Sequence, residues 1–434
     1  MHVHRLLAAA GILAAIASVA QLRAEVVAVK AGRLIDGTGA APKKDQVVVV
    51  ENGKIVSVGT AVPAGAKVLD LGDRTLLPGF IDCHVHLAGR VIGEGENWDD
   101  AEVRDLPQEE AIRGVRNAKA TLEAGFTTVR NVGASDFSDI ALRNMAREGI
   151  VPGPRIVAAG HPIGITGGHC DTNGYRPGIL EGRPERGIAD GSDEIVKAVR
   201  YQVKHGADVI KVCATGGVLS EGDAVGVQQY DDEELRVLVR EAHLTGRKVA
   251  AHAHGADGIK AALRAGVDSI EHGSMTDDEA IALFKKTGAF LVPTLMAQES
   301  VEALAKSGVL KGQRAEKALF IAPHARANIK RAIAAGVRIA LGTDSGVFPH
   351  GKNAHEFELM VGLGMKPMDA IVAGTRNAAE LLGLEKILGT IEAGKIADLV
   401  AVDGNPLDDV KTLTVPSFVM HEGKVVGAVP KLLR

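Results

Sequence analysis

Along residues 25–76 short apolar runs alternate with turn signals. The runs 26–29, 46–51 and 55–58 are punctuated by Asp36-Gly37 and Asn52-Gly53, and Asn-Gly between strand-like runs is a strong hairpin signal. The other end of the chain repeats the pattern, with runs at 397–402, 418–420 and 424–426 and a turn at Glu422-Gly423. Neither set has enough strands to bury a core alone. The two ends are therefore expected to pair into one small β-sandwich-like domain.

Between them the pattern changes to strand, then helix, repeated. Apolar runs predict strands at 127–132, 155–159, 209–214, 248–253, 269–271, 290–294 and 338–343, and the opening run 75–81 makes eight. Helices are predicted at 107–124, 193–205, 231–245, 255–265 and 324–335, and several close on Ala-Gly, as at 124–125, 265–266 and 335–336. Glycine suits the left-handed residue that ends a helix. Two further helical stretches, 356–363 and 366–382, follow the eighth strand. Eight such units in about 300 residues predict a (β/α)8 barrel, with a doubly wound open sheet as the alternative. The expected organisation is a leader at 1–24, the first part of the small β domain at 25–76, the barrel at 77–388 and the second part of the small domain at 389–434.

The leader reading rests on His4 and Arg5 ahead of an apolar stretch, 6–20, with small residues at 18–20 and at Ala24. That is the pattern of a secretory signal peptide, cleaved after Ala20 or Ala24, and the run is short for a bilayer span. The mature chain is expected to be periplasmic or secreted, with no membrane partner. A net charge of -4 and no long basic block argue against nucleic acid as a partner. With 52 glycines and 3% aromatic residues the fold should have many tight connections and an aliphatic core. Three cysteines make an odd count without a CxxC. Cys83 and Cys213 lie in apolar runs and read as small buried hydrophobes, so no disulfide framework is expected.

The polar residues at the predicted strand ends carry the chemistry. Strand one leads into Asp82-Cys83-His84-Val85-His86, and strand four carries Lys211 inside an apolar run. Strand five ends in His252-Ala253-His254, strand six in Glu271-His272 and strand eight in Thr343-Asp344. Residues spaced i, i+2 share a face of a strand, and a barrel gathers its strand C-terminal ends at one mouth. Imidazoles and a carboxylate converging there suit zinc and related divalent ions. A lysine in an apolar strand is costly unless paired or neutral. Two readings stay open for Lys211: an ion pair with Glu271 or Asp344, or a neutral amine that takes up carbon dioxide as a carbamate.

This order of residues resembles the ligand plan of the amidohydrolase superfamily. The flanking segments 77–82 and 389–400 are similar to the superfamily's entry to strand one and its return to the small domain. Thr166-Gly167-Gly168-His169, the run 211–217 and the run 249–255 resemble its imidazolonepropionase-related branch, which includes Xaa-Pro and Xaa-Arg/Lys dipeptidases and ochratoxin-hydrolysing amidohydrolases. The resemblance implies two divalent ions, most commonly zinc, with Mn, Co or Fe able to use the same ligands. It implies His84, His86 and Asp344 on the α metal, His252 and His272 on the β metal, and N6-carboxylated Lys211 bridging them. It further implies attack of a metal-bridging hydroxide on a dipeptide, N-acyl amino acid or ochratoxin-like amide, with Asp344 moving the proton, and a homo-oligomer, possibly an octamer. Tyr230 is nominated as oxyanion donor or substrate-carboxylate contact. His169, His254 and His161 are nominated to line the substrate pocket, a second-sphere hydrogen bond being the alternative for His254. Arg130 is assigned to supporting the site or the fold rather than contacting substrate. The rivals are a cyclic-amide hydrolase of the imidazolonepropionase type, a deaminase, and a non-catalytic barrel.

Overall fold

The computed structural model describes residues 25–95 and 98–427, so the leader reading lies outside the described residues. The two chain ends do pair, in one eight-stranded mixed sheet. The seam is Thr75–Pro78 running antiparallel to Leu399–Val402, with Leu77 opposite Val400. Val27–Leu34 pairs with Lys43–Glu51, which turns into Lys54–Gly59. The turn between the last two is Asn52-Gly53, at φ 52° and 76°, the left-handed pair that a tight hairpin needs. Val29, Val48, Ile55, Leu76, Leu399 and Phe418 fill the core of this sheet.

The chain enters the barrel directly from the seam, and Phe80–Val85 is the first barrel strand. It pairs in parallel with Phe126–Asn131, which pairs with Arg155–Ala158. Val209–Cys213, Lys248–Ala253, Ser269–His272 and Phe290–Val292 form a second parallel set in that order. A parallel bridge between Ile163 and Val212 links the two sets. Helices such as Pro107–Glu123, Gly191–Lys204, Asp232–Leu244 and Ala256–Ala265 alternate with these strands. The predicted helix at 324–335 is the second half of Gly312–Ala334, a longer helix with Pro323 inside it. Among the described residues no helix is long and apolar enough to cross a membrane.

The predicted eighth strand needs correction. Residues 338–345 close the barrel through two isolated parallel bridges, Leu291 to Ile339 and Val85 to Ser345, not through a ladder. Single hydrogen bonds complete the joint: Cys83 N donates to Leu341 O at 2.9 Å and Asp344 N to His84 O at 2.7 Å. The cause is local. A Cβ at Gly342 would collide with Val292 and His84, and Asp344 sits at φ 61°, outside the extended region a ladder requires. Pairing is given up where Asp344 is aimed into the mouth.

Candidate metal centre

The six predicted ligands arrive at the mouth from five segments of the barrel, four of them strands. His84 ends the first strand's polar run with His86 just beyond it, Lys211 lies on Val209–Cys213, His252 on Lys248–Ala253 and His272 at the end of Ser269–His272. The His84 and His272 rings are 5.0 Å apart, and those of His252 and His272 are 4.6 Å apart. Asp344 Oδ1 lies 3.5 Å from His84 Nε2 and 3.3 Å from His86 Nε2. Donor atoms of His84, His272 and Asp344 all fall within 4.8 Å of one another, as do those of His252, His254 and His272.

The outward ring nitrogens are occupied, which turns the other nitrogen of each ring inward. His84 Nδ1 donates to Glu271 Oε2 at 2.8 Å and His86 Nδ1 to the Gly133 carbonyl at 3.1 Å. His272 Nδ1 pairs with Thr294 Oγ1 at 2.7 Å. Metal-binding imidazoles are oriented in this way. His252 Nε2 is buried with no hydrogen-bond partner, a costly state unless it has a cation to meet. Burial pushes the His84 imidazole down to about 4 and those of His252 and His272 well below the ordinary value. They are neutral at pH 7 and offer lone pairs. The donor set therefore fits a divalent metal.

Lys211 is 4% exposed, and among the described residues its amine has no hydrogen-bond or ion-pair partner. Burial pulls it down to about 8 despite Glu271 and Asp344 nearby. The ion-pair reading fails because Glu271 is engaged elsewhere. Arg130 Nη2 donates to Glu271 Oε1 at 2.7 Å, and Arg130 Nε donates to the Cys83 carbonyl at 2.6 Å. Arg130 thus supports the site, as its position on strand two suggested. Burial pushes the Glu271 carboxyl up, but the Arg130 charge and the His84 hydrogen bond outweigh it and hold it at about 2. Glu271→Gln leaves a buried guanidinium uncompensated and should cost about 3–5 kcal/mol in stability, read from a urea-unfolding midpoint at pH 7. The folded pKa lies below the unfolded one, so the penalty should be present above the unfolded value near 4.5 and fade as pH falls towards 2.

Sequence reasoning saw Glu271 only as a possible partner of Lys211, and it overlooked Asp82 and His350. Asp82 accepts from His84 N at 3.0 Å, Thr343 Oγ1 at 2.7 Å and Asn353 Nδ2 at 2.8 Å, tying strand one to the segment carrying Asp344. His350 Nε2 donates to the His86 carbonyl at 3.1 Å. An aspartate two residues before a His-x-His pair is the signal that could have identified the first; His350 has none. His272, Thr294 and Asp344 all sit at positive φ, 71°, 46° and 61°, and such strain in non-glycine residues clusters at functional sites.

The pocket nominees divide. The His169 ring stacks on His252 at 4.1 Å, and its Nδ1 pairs with Ser220 Oγ at 2.8 Å, which in turn donates to Asp223. Only glycine fits at 217, where a Cβ would overlap the His169 ring. His254 stacks on His272 at 4.9 Å and pairs with Ser274 Oγ through Nδ1. Both rings border the mouth. Tyr230 requires correction: it is packed in the barrel core and its hydroxyl donates to the Ala189 carbonyl at 2.8 Å. An apolar environment drew the ring inward and left its hydroxyl one backbone acceptor. His161 is displaced as well. Its Nε2 accepts from Asp136 N at 3.0 Å, its ring meets Phe137 edge-on, and it lines a neighbouring cavity.

The cysteine expectation is also overturned. Cys170 and Cys213 form a disulfide with Cα atoms 6.0 Å apart, while Cys83 is free and buried as expected. The fold brings the glycine-rich 164–174 loop over the end of strand four, a proximity that spacing along the chain does not reveal. Unreduced, denatured protein should titrate one thiol and reduced protein three. Cys170→Ser should cost up to about 4 kcal/mol by the loop-entropy estimate for this closure, checked by urea unfolding. The disulfide, His86, Lys211 and Asp344 border a cavity of about 360 Å³ that also touches Arg90 and Ile92.

A parallel α/β barrel with neutral imidazoles, a carboxylate and an unpaired lysine at its strand ends has the architecture of a metal-dependent hydrolase. The profile of the Amidohydrolase family matches residues 75–426, and the chain belongs to that family. It is 35% identical over 424 residues to ochratoxinase of Aspergillus niger, covering 92% of this chain and 86% of that one. It is similar to the crystal structure of an Xaa-Pro dipeptidase with methionine bound in its active site, at 38% identity and TM-score 0.88 over 93% of this chain and 100% of that one. Imidazolonepropionase of Symbiobacterium thermophilum is 27% identical, covering 87% of this chain and 90% of that one. The chain is an amidohydrolase acting on carbon–nitrogen bonds, with a histidine-rich candidate metal site.

Proposed function

We propose that this enzyme hydrolyses an amide whose leaving group is an amino acid, in a dipeptide, an N-acyl amino acid or an ochratoxin-like amide. The names of the relatives support the substrate class, and the buried, unpaired Lys211 among neutral imidazoles carries the binuclear reading. His84, His86 and Asp344 would hold one divalent ion and His252 and His272 a second, both zinc, with carboxylated Lys211 shared. Such ions supply an activated water and polarise the carbonyl.

The chain's own residues do the rest. The Glu271 bond to His84 and the Thr294 bond to His272 fix the ring orientations. Burial pushes the Asp344 carboxyl up, but His84 and His86 beside it hold it well below the usual carboxylate range, so it is ionised and can accept a proton. Asp344 takes that proton as water adds to the carbonyl carbon and delivers it to the leaving nitrogen when the C–N bond breaks. Water and amide become one carboxylic acid and one amine. His169 and His254 border the place where the substrate sits.

The reading is tested by metal content together with turnover on a panel of Xaa-amino acid dipeptides, N-acyl amino acids and an ochratoxin-type amide. About two metals per chain and release of an amino acid are expected. Metal-free purified protein, or cleavage of cyclic amides alone, would overturn it. The proposal includes export to the periplasm or medium and a homo-oligomer, which cell fractionation and light scattering would check.

A further inference from the structure

A second, smaller pocket of about 50 Å³ opens off the metal-centre cavity beside His254 and His272. Val218, Ala297, Val301 and Val347 make its walls apolar. His169, His252, His254, His272 and Asp344 line it on the metal-centre side, and one further polar side chain breaks the apolar walls. Gln298, in the first turn of helix Leu295–Lys306, is 3% exposed, and its Oε1 is buried and accepts no hydrogen bond. A buried amide oxygen without a donor is costly, and on a side chain that lines the pocket it is a standing request for an N–H or O–H.

We propose that this pocket is the acyl-residue subsite and that Gln298 determines specificity there by accepting a hydrogen bond from the α-nitrogen of that residue. The inference rests on the amide-hydrolase reading above. Two observations place the acyl half here. The pocket wall carries no lysine or arginine, so it is unsuited to a leaving group's carboxylate, whereas the larger cavity has Arg90, held in place by a bidentate pair with Asp105, on its wall. Its volume holds three or four water-sized probes, taking about 10–15 Å³ for each. That accommodates a small aliphatic side chain of alanine to valine size. The favoured substrate is thus a dipeptide with a small aliphatic N-terminal residue.

The test is equilibrium binding of a matched pair of uncleavable analogues, in which a methylene replaces the scissile carbonyl. One member carries a valine-type residue and the other its desamino counterpart. Wild-type holoenzyme should prefer the amino-bearing member by roughly 10- to 100-fold, since a site built for an N–H rejects the analogue lacking it. Gln298→Leu should abolish that preference, and Gln298→Glu, which keeps an acceptor oxygen, should restore it. No preference in wild type, or a preference that survives in Gln298→Leu, would overturn the assignment; equal weakening of both analogues is the second of these results. Turnover of the cleavable parents is scored separately. The predicted binding preference without cleavage would sink the hydrolytic reading and leave the subsite standing, and cleavage without the preference would do the reverse.

Discussion

Lys211→Ala should lower kcat on any amide substrate by roughly 10³- to 10⁴-fold, corresponding to the several kcal/mol that metal-assisted charge stabilisation supplies. The structural premise is an amine buried among ligands with nothing to pair with. Held at about 8 by burial, it is neutral in about one molecule in ten at pH 7, far more often than an exposed lysine. A neutral amine reacts with carbon dioxide; an ammonium does not. Loss of the proposed carbamate would remove an anionic oxygen from the metal site, so metal content should fall together with rate. Stability of the metal-free chain should not fall, because the desolvation cost of the buried amine is only partly offset by Glu271 and Asp344. Acetate or propionate added to the variant should restore part of the activity by filling the space with a carboxylate. Metal-stripped wild type should likewise regain activity faster when zinc is returned with bicarbonate than with zinc alone. Full activity in Lys211→Ala would eliminate the carbamate.

Much of this site was legible because barrel geometry converts strand order into spatial convergence. His84, His86, Lys211, His252, His272 and Asp344 each fall on or near a barrel strand or its closing segment, so locating the strands brought the candidate ligands to one mouth. The resemblance added their assignment. What was not legible depended on contacts between segments distant in sequence. Tyr230 looked available because a tyrosine ahead of a helix cap carries no local sign of burial, and its partner, Ala189, is 41 residues away. Cys170 and Cys213, separated by 43 residues, meet only because a loop folds across the mouth. Glu271 read as a strand residue one place before a ligand. Its role as the anion joining Arg130 to His84 needs three strands in register. The eighth strand failed for a different reason. Its composition is strand-like, but Gly342 and the left-handed Asp344 trade ladder hydrogen bonds for the placement of one carboxylate. Local preference gave way where chemistry needed it to.

That trade makes Asp344→Asn the sharper probe of the proton transfer. The backbone at 344 is at φ 61°, a conformation asparagine tolerates and alanine resists. Asparagine therefore keeps the shape of the barrel mouth, whereas Asp344→Ala would combine lost chemistry with backbone strain. The amide keeps one oxygen toward His84 and His86 but cannot take up a proton. Because a positioned general base contributes typically 10²- to 10⁴-fold, kcat should fall by about 10³-fold with KM changed by less than about threefold. The unfolding midpoint should shift little, since burial already keeps the His84 imidazole beside the carboxylate neutral. A fall in KM-dependent binding with kcat intact would assign Asp344 to holding substrate. Near wild-type kcat in a metal-loaded Asn variant would move proton transfer to another group at the mouth, and His169, stacked on His252 and backed by Ser220 and Asp223, would then be the side chain placed to take it.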